Sequence, residues 1–168
     1  GCGSGQPLAV FTACADGVPT SRDVSTGNTT TAIGADNLFH AKYSLKAQYW
    51  TNARWMFHRD GAKQVALLKD SQNRYLWQPS LQAGQPDRLL NFPMDVSEFA
   101  PNTFTANQYV GMLADWRNYW IADSLGSAVQ VVRELYSETN QTGYIWRREL
   151  DGQPVLAEAF VRIQLAAS

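Results

Sequence analysis

NQYVGMLADWRNYWIAD, residues 107–123, reads as two strands around a turn. Apolar residues crowd Tyr109 to Ala114 and again Tyr119 to Ala122, while the polar group from Asp115 to Asn118 separates them. The chain beyond it alternates in the same manner. VQVVRELYS (129–137) and TGYIWRREL (142–150) read as half-exposed strands, DGQP (151–154) as a turn, and AFVRIQL (159–165) as a closing strand.

The chain before it changes character. ARWMFH (53–58) is a compact apolar strand. From Arg59 or Asp60 to Lys69, the spacing of Ala62, Val65, Ala66 and Leu68 predicts an amphipathic helix packed on that strand's sheet. An earlier helix is predicted from Ala35 to about Lys46, with Leu38, Ala41 and Leu45 on its buried side and Asp36 in its first turn. RYLW (74–77) reads as a short strand and RLLNFPMDVS (88–97) as an extended run in which Pro93 argues for an edge or a bulge. PLAVFTA (7–13) reads as extended, and residues 15–34 as a long polar connection. Two helices ahead of a β-rich last third give an α+β fold with a mixed or mostly antiparallel sheet.

Composition excludes several function classes. Of 168 residues, 45% are hydrophobic and 17% charged, which describes a folded globular chain rather than a disordered one. A formal net charge of -1 supplies no long-range field to draw in a phosphate backbone. Six tryptophans provide amphipathic surface suited to a core or to protein contacts. Cys2 and Cys14 are a single possible pair rather than a disulfide framework, and indicate a reducing compartment. No apolar run approaches the roughly 20 residues that span a bilayer, and the start has neither the basic nor the apolar region of a signal peptide. Beginning without methionine, in a glycine-rich turn, the sequence reads as a piece of something longer.

No motif for catalysis or for a cofactor emerges. Gly1, Gly3 and Gly5 have no strand before them and no helix after them, so they read as a turn and not as a phosphate cradle. His40 and His58 are the only histidines; the first reads as helix surface and the second as a capping residue at a strand-to-helix junction, and no metal site is expected. Asp115 and Asp123 flank an aromatic cluster, the one place where a glycosidase-like pair is conceivable, although strand-end aspartates ordinarily form turns. The Arg147-Arg148 doublet reads as a solvated strand edge or an interface charge pair.

Three stretches in order, LLKDSQNRYLWQPSLQAGQPDRLLNFP (67–93), the 107–123 segment and NQTGYIWRRELDGQPVLAEAFVRIQL (140–165), resemble the C-terminal half of a tailed-phage major capsid protein of the Hong Kong 97-type fold. GSGQPLAVF (3–11) matches the Gly-rich, Pro-Leu lead into that half, so the resemblance covers essentially the whole chain. It implies an axial domain over 1–124 and C-terminal strands of a peripheral domain over 125–168. The family's N-terminal arm, extended loop and spine helix would precede the segment, which would make it a trimmed product or a designed fragment. Peripheral strands deprived of that helix would expose Tyr144 and Trp146. Residues 78–86 would be subunit-facing or surface trim.

The resemblance further implies a structural protein of the virion, assembled in the host cytoplasm, whose main partner is itself: it would form pentamers and hexamers that enclose DNA without reading its sequence, with no cofactor and no membrane. Some relatives weld their shells through a Lys to Asn isopeptide bond assisted by a glutamate. Asn140 would stand at the acceptor position, but Arg147-Arg148 occupies the place of the glutamate, and a guanidinium cannot serve as a general base there. A cargo-packaging, encapsulin-like shell shares the fold, and a small hydrolase using Asp115 or Asp123 is the alternative from another class.

Overall fold

The computed structural model describes residues 5–12, 17–77, 87–123, 128–132 and 141–167. The strands are β1 (Asp23–Val24), β2 (Arg54–Phe57), β3 (Arg88–Leu89), β4 (Phe92–Val96), β5 (Tyr109–Ala114), β6 (Tyr119–Asp123), β7 (Ala128–Val132), β8 (Gly143–Arg147), β9 (Leu150–Pro154) and β10 (Phe160–Gln164). The helices are α1 (Ala35–Ser44) and α2 (Arg59–Ala66). Six strands form one mixed sheet in the order β1-β10-β5-β2-β4-β3. β2 and β4 run parallel, and α2 supplies the crossover that parallel neighbours require. The architecture is the α+β fold expected of the Hong Kong 97-type resemblance, a mixed sheet with flanking helices.

The two sheet faces bury different sets of side chains. Trp55, Phe57, Leu113, Val161 and Ile163 project to the side covered by Leu38, Ala41 and Leu45 of the first helical segment and by Val65 of α2. Met112, Ala114 and Phe160 project to the other side, where Val18 packs. β5 and β10 are buried on both faces; β5 reads as a nearly continuous apolar run, whereas β10 carries the buried Arg162. Gly111 belongs to this packing: a Cβ there would collide with the Phe57 ring. α2 ends at Ala66, short of the predicted Lys69, where the last turn tightens: Leu67 N–H donates to the Gln64 carbonyl and Leu68 N–H to the Val65 carbonyl, each at 3.2 Å. α1 likewise stops at Ser44, and Leu45, fully buried beyond its end, accepts the Trp50 indole N–H at 2.9 Å.

Three expectations for local structure need correction. Residues 74–77 form no strand; Tyr75 makes an isolated bridge to Lys69, and the Trp77 indole donates to the Arg88 carbonyl at 2.7 Å. Residues 151–154 are not a turn but most of β9, paired antiparallel with β6; Gly152 suits the position because a Cβ there would lie 2.7 Å from the Tyr119 hydroxyl. Residues 17–34 are more than a connection: they contain β1, paired parallel to β10, and a short 3-10 turn at Thr20–Arg22. Pro93 is accommodated at the near end of β4, ahead of the ladder to β2 that begins at Met94.

From β5 onward the pairing is nested. Tyr109 faces Gln164, Tyr119 faces Pro154, Asp123 faces Leu150, Ala128 faces Arg147 and Val132 faces Gly143. Each pair closes inside the one before it, as in one long hairpin. Its base, β5 with β10, lies inside the six-stranded sheet; β6–β9 and β7–β8 are separate two-stranded ribbons. At the boundary both chains take one 3-10 turn, Trp116–Asn118 going out and Ala157–Ala159 coming back. Residues 160–164 thus return to the main sheet, between β1 and β5.

Candidate functional site

Register defines two ends of the sheet. At one, Ala114 lies beside Arg54 and Phe160, and the ribbons depart from it. At the other, Phe57 lies beside Gly111 and Val96, and chain reversals cap it. The residues singled out from sequence divide between these places.

At the ribbon end Asp115 is buried, and its Oδ1 accepts the Arg117 backbone N–H at 3.2 Å, which starts the 3-10 turn. Asp123 lies at the far end of β6 and accepts Arg148 Nη2–H at 2.9 Å. Each of the two carboxylates is thus engaged in its own structural contact, and only Asp115 lines the adjoining cavity of about 740 Å³. That cavity is bounded by Lys42, Arg54, Arg88 and Arg117 around Trp50 and Trp116. Lys42 donates to the Leu90 carbonyl at 3.3 Å and lies 5.5 Å from the Trp50 and Phe92 ring centres, so its charge is held against aromatic faces. Arg54 pairs with Asp95 at 3.2 Å.

The ribbons carry several large exposed apolar side chains. Trp120, Ile121, Tyr144 and Trp146 are 65%, 73%, 70% and 65% exposed. Burial in β6 and β8 does not alternate, so both faces of these two strands meet solvent, while Gly152 and Pro154 of β9 are buried. The incoming segment touches the first ribbon: Leu8 N–H donates to the Gly152 carbonyl at 2.8 Å, and the Tyr119 hydroxyl donates to the Leu8 carbonyl at 3.0 Å. Burial, then the nearby Asp151 charge, raises the Tyr119 pKa.

At the opposite end His58 caps α2, as its place in the sequence suggested. Its Nδ1 accepts the Asp60 N–H at 3.2 Å and lies 3.1 Å from Asp60 Oδ2, while Nε2 lies 3.1 Å from Glu98 Oε2. His40 is exposed on α1. No group of three or more His, Cys, Asp or Glu that could hold a metal occurs among the described residues. Asn140, Cys2, Cys14 and residues 78–86 lie outside the described residues.

Two features escaped the sequence reading. Arg162, written into an alternating strand, is fully buried; it donates to Asp23 at 2.6 Å and to the Pro19 carbonyl at 3.1 Å, and stacks 4.6 Å from the Tyr109 ring centre. Burial and the hydrogen bond to Asp23 raise the Tyr109 pKa. The second is a turn at Ser97–Ala100. Its signal was a Ser ahead of a Pro in SEFAP (97–101), a turn-forming combination between two strands.

Residues 1–165 match the family model described as the phage capsid family. The chain belongs to the phage capsid family. Among solved structures, this capsid-family chain is 25% identical to the capsid of a native GTA particle computed with C5 symmetry (TM-score 0.74), covering 99% of itself and 56% of that chain. The capsid of an empty GTA particle gives 25% identity and TM-score 0.73, with 98% of this chain and 55% of that one covered. A chain from Gordonia phage Cozz shares the fold at 16% identity and TM-score 0.54, with 99% and 52% covered. The chain thus spans just over half the length of the capsid proteins it matches. A comparison with curated proteins finds no sequence match. These likenesses are to phage and particle capsids, and favour a phage shell over a cargo compartment or a hydrolase.

Proposed function

We propose that this chain is the shell-forming part of a tailed-phage major capsid subunit, which assembles with copies of itself into rings and then a closed head around DNA. The observation that carries the reading is the nested hairpin. A two-stranded ribbon is marginal in water on its own, yet here two of them present tryptophan, tyrosine and isoleucine on both faces. Such a surface suits a protein that completes its packing against other chain segments or other copies. In this reading the six-stranded sheet with α1 and α2, including residues 160–164, is the axial unit, and the ribbons are the peripheral one.

The work is geometric rather than catalytic: many modest contacts, multiplied by repetition, hold the shell. DNA is enclosed without sequence readout, consistent with a net charge of -1. Assembly takes place in the host cytoplasm and the product is the virion capsid. No helix among the described residues is long and apolar enough to cross a membrane. Light scattering and electron microscopy test the reading. The protein expressed from its complete gene should form closed particles, whereas residues 1–168 alone should remain a monomer or a small concentration-dependent oligomer. Absence of particles from the complete protein would refute the proposal.

A further inference from the structure

Phe99 is 99% exposed, the most exposed large hydrophobic side chain among the described residues. It occupies the end of the sheet opposite the ribbons, just past β4. The turn that carries it is not slack. Ser97 N–H donates to the Phe57 carbonyl at 2.9 Å and so extends the β2–β4 ladder by one bond. The Ser97 hydroxyl accepts the Phe99 N–H at 3.3 Å, and the Ser97 carbonyl accepts the Ala100 N–H at 3.2 Å. Glu98 is held from the side by His58 Nε2 at 3.1 Å and by Arg59 Nε at 3.6 Å. Pro101 follows at once and limits the backbone beyond.

A phenyl ring in water gains nothing for the isolated fold. The backbone beneath it is held in place beforehand, however, so burial by a partner has only the side chain's own torsions to order, which favours a protruding aromatic as an anchor. We infer that Phe99 is a copy-to-copy anchor, inserted into a different surface of the next subunit in the ring. This rests on the shell reading above.

Two observations favour a second copy as the occupant. The two GTA capsids this chain resembles were computed with C5 symmetry, in which copies repeat around a five-fold axis. A cyclic ring is closed by a head-to-tail contact in which a knob on one subunit meets a different patch on its neighbour. The rim around Phe99 also carries both charge signs, with Arg59 beside Glu98 and Asp60, as befits a partner of nearly neutral surface like this chain itself. His58 acts here as a positioning residue, because it joins the α2 cap to the Phe99 turn through Glu98.

The test uses the protein expressed from its complete gene. Replacing Phe99 by a benzoyl-phenylalanine photo-crosslinker should give covalent dimers and higher ladders of the subunit on irradiation. Phe99→Ser should leave the unfolding temperature unchanged while raising the protein concentration needed for assembly about tenfold or more. His58→Gln should have the same effect in weaker form. Crosslinks confined within one chain, or Phe99→Ser particles forming at the wild-type concentration, would overturn the inference. If the wild-type protein forms no particle, the shell reading fails, and the contact between copies is then decided by the crosslinked dimer alone.

Discussion

The six-stranded sheet and the two ribbons are written in the same alphabet yet have opposite fates. Trp55 in β2 is fully buried, with its indole N–H on the Leu89 carbonyl at 2.9 Å, whereas Trp146 in β8 is 65% exposed. Both stand in short strands among apolar neighbours and arginine. What separates them is covering: α1 and α2 lie on the side of the sheet that Trp55 faces, whereas β8 is exposed along nearly its whole length. Alternation identifies a strand, but burial depends on which other element comes to rest upon it.

The most severe break in that comparison is Trp55→Ala set against Trp146→Ala in residues 1–168. Truncating the buried indole should cost about 3–5 kcal/mol in urea unfolding, whereas the ribbon substitution should stay within about 0.5 kcal/mol. Equal losses would mean that the ribbon already packs as a core. Arg162→Ala is expected to cost nearly as much, about 3 kcal/mol or more, because it strands the buried Asp23 carboxylate. Pairing it with Asp23→Asn in a double-mutant cycle should recover part of that loss.

A smaller change sharpens the contrast at the far end of the sheet. Removing the α2 cap in His58→Ala should cost about 1 kcal/mol, measured by the same unfolding curves. The smallest effect expected is alkaline. Tyr109 at the sheet and Tyr119 at the ribbon both have pKa values raised above their ordinary 10.0, primarily by burial. Their contribution is fully present below pH 10 and is lost as pH rises through the folded values, since the unfolded chain ionises first. Stability should therefore decline above about pH 10, and Tyr109→Phe should flatten that decline while removing the 2.9 Å bond to Asp23.

Helix faces were legible because period and burial agree: Leu38, Ala41 and Val65 are all inside. Strand positions were legible for the same reason at 54–57, 109–114 and 160–164. Asp115 and Asp123 were readable as chemistry-bearing residues, but only the fold could assign one to a turn and the other to Arg148. Arg162 and Asp23, 139 positions apart, could not be paired from spacing, because parallel pairing of β1 with β10 is what joins them.

By itself, then, the sequence determined the family, the α+β class, the order of the elements and the lack of a recognisable catalytic motif, because these depend on local periodicity and on ordered stretches of residue identity. Tertiary structure alone decided that the strands β5 to β10 nest like one hairpin with its base in the sheet and the described residues of its ribbons largely in solvent, and that Phe99 stands exposed at the opposite end. Pairing partners and exposure are set by contacts between residues far apart in the chain, and alternation along one strand carries no record of them.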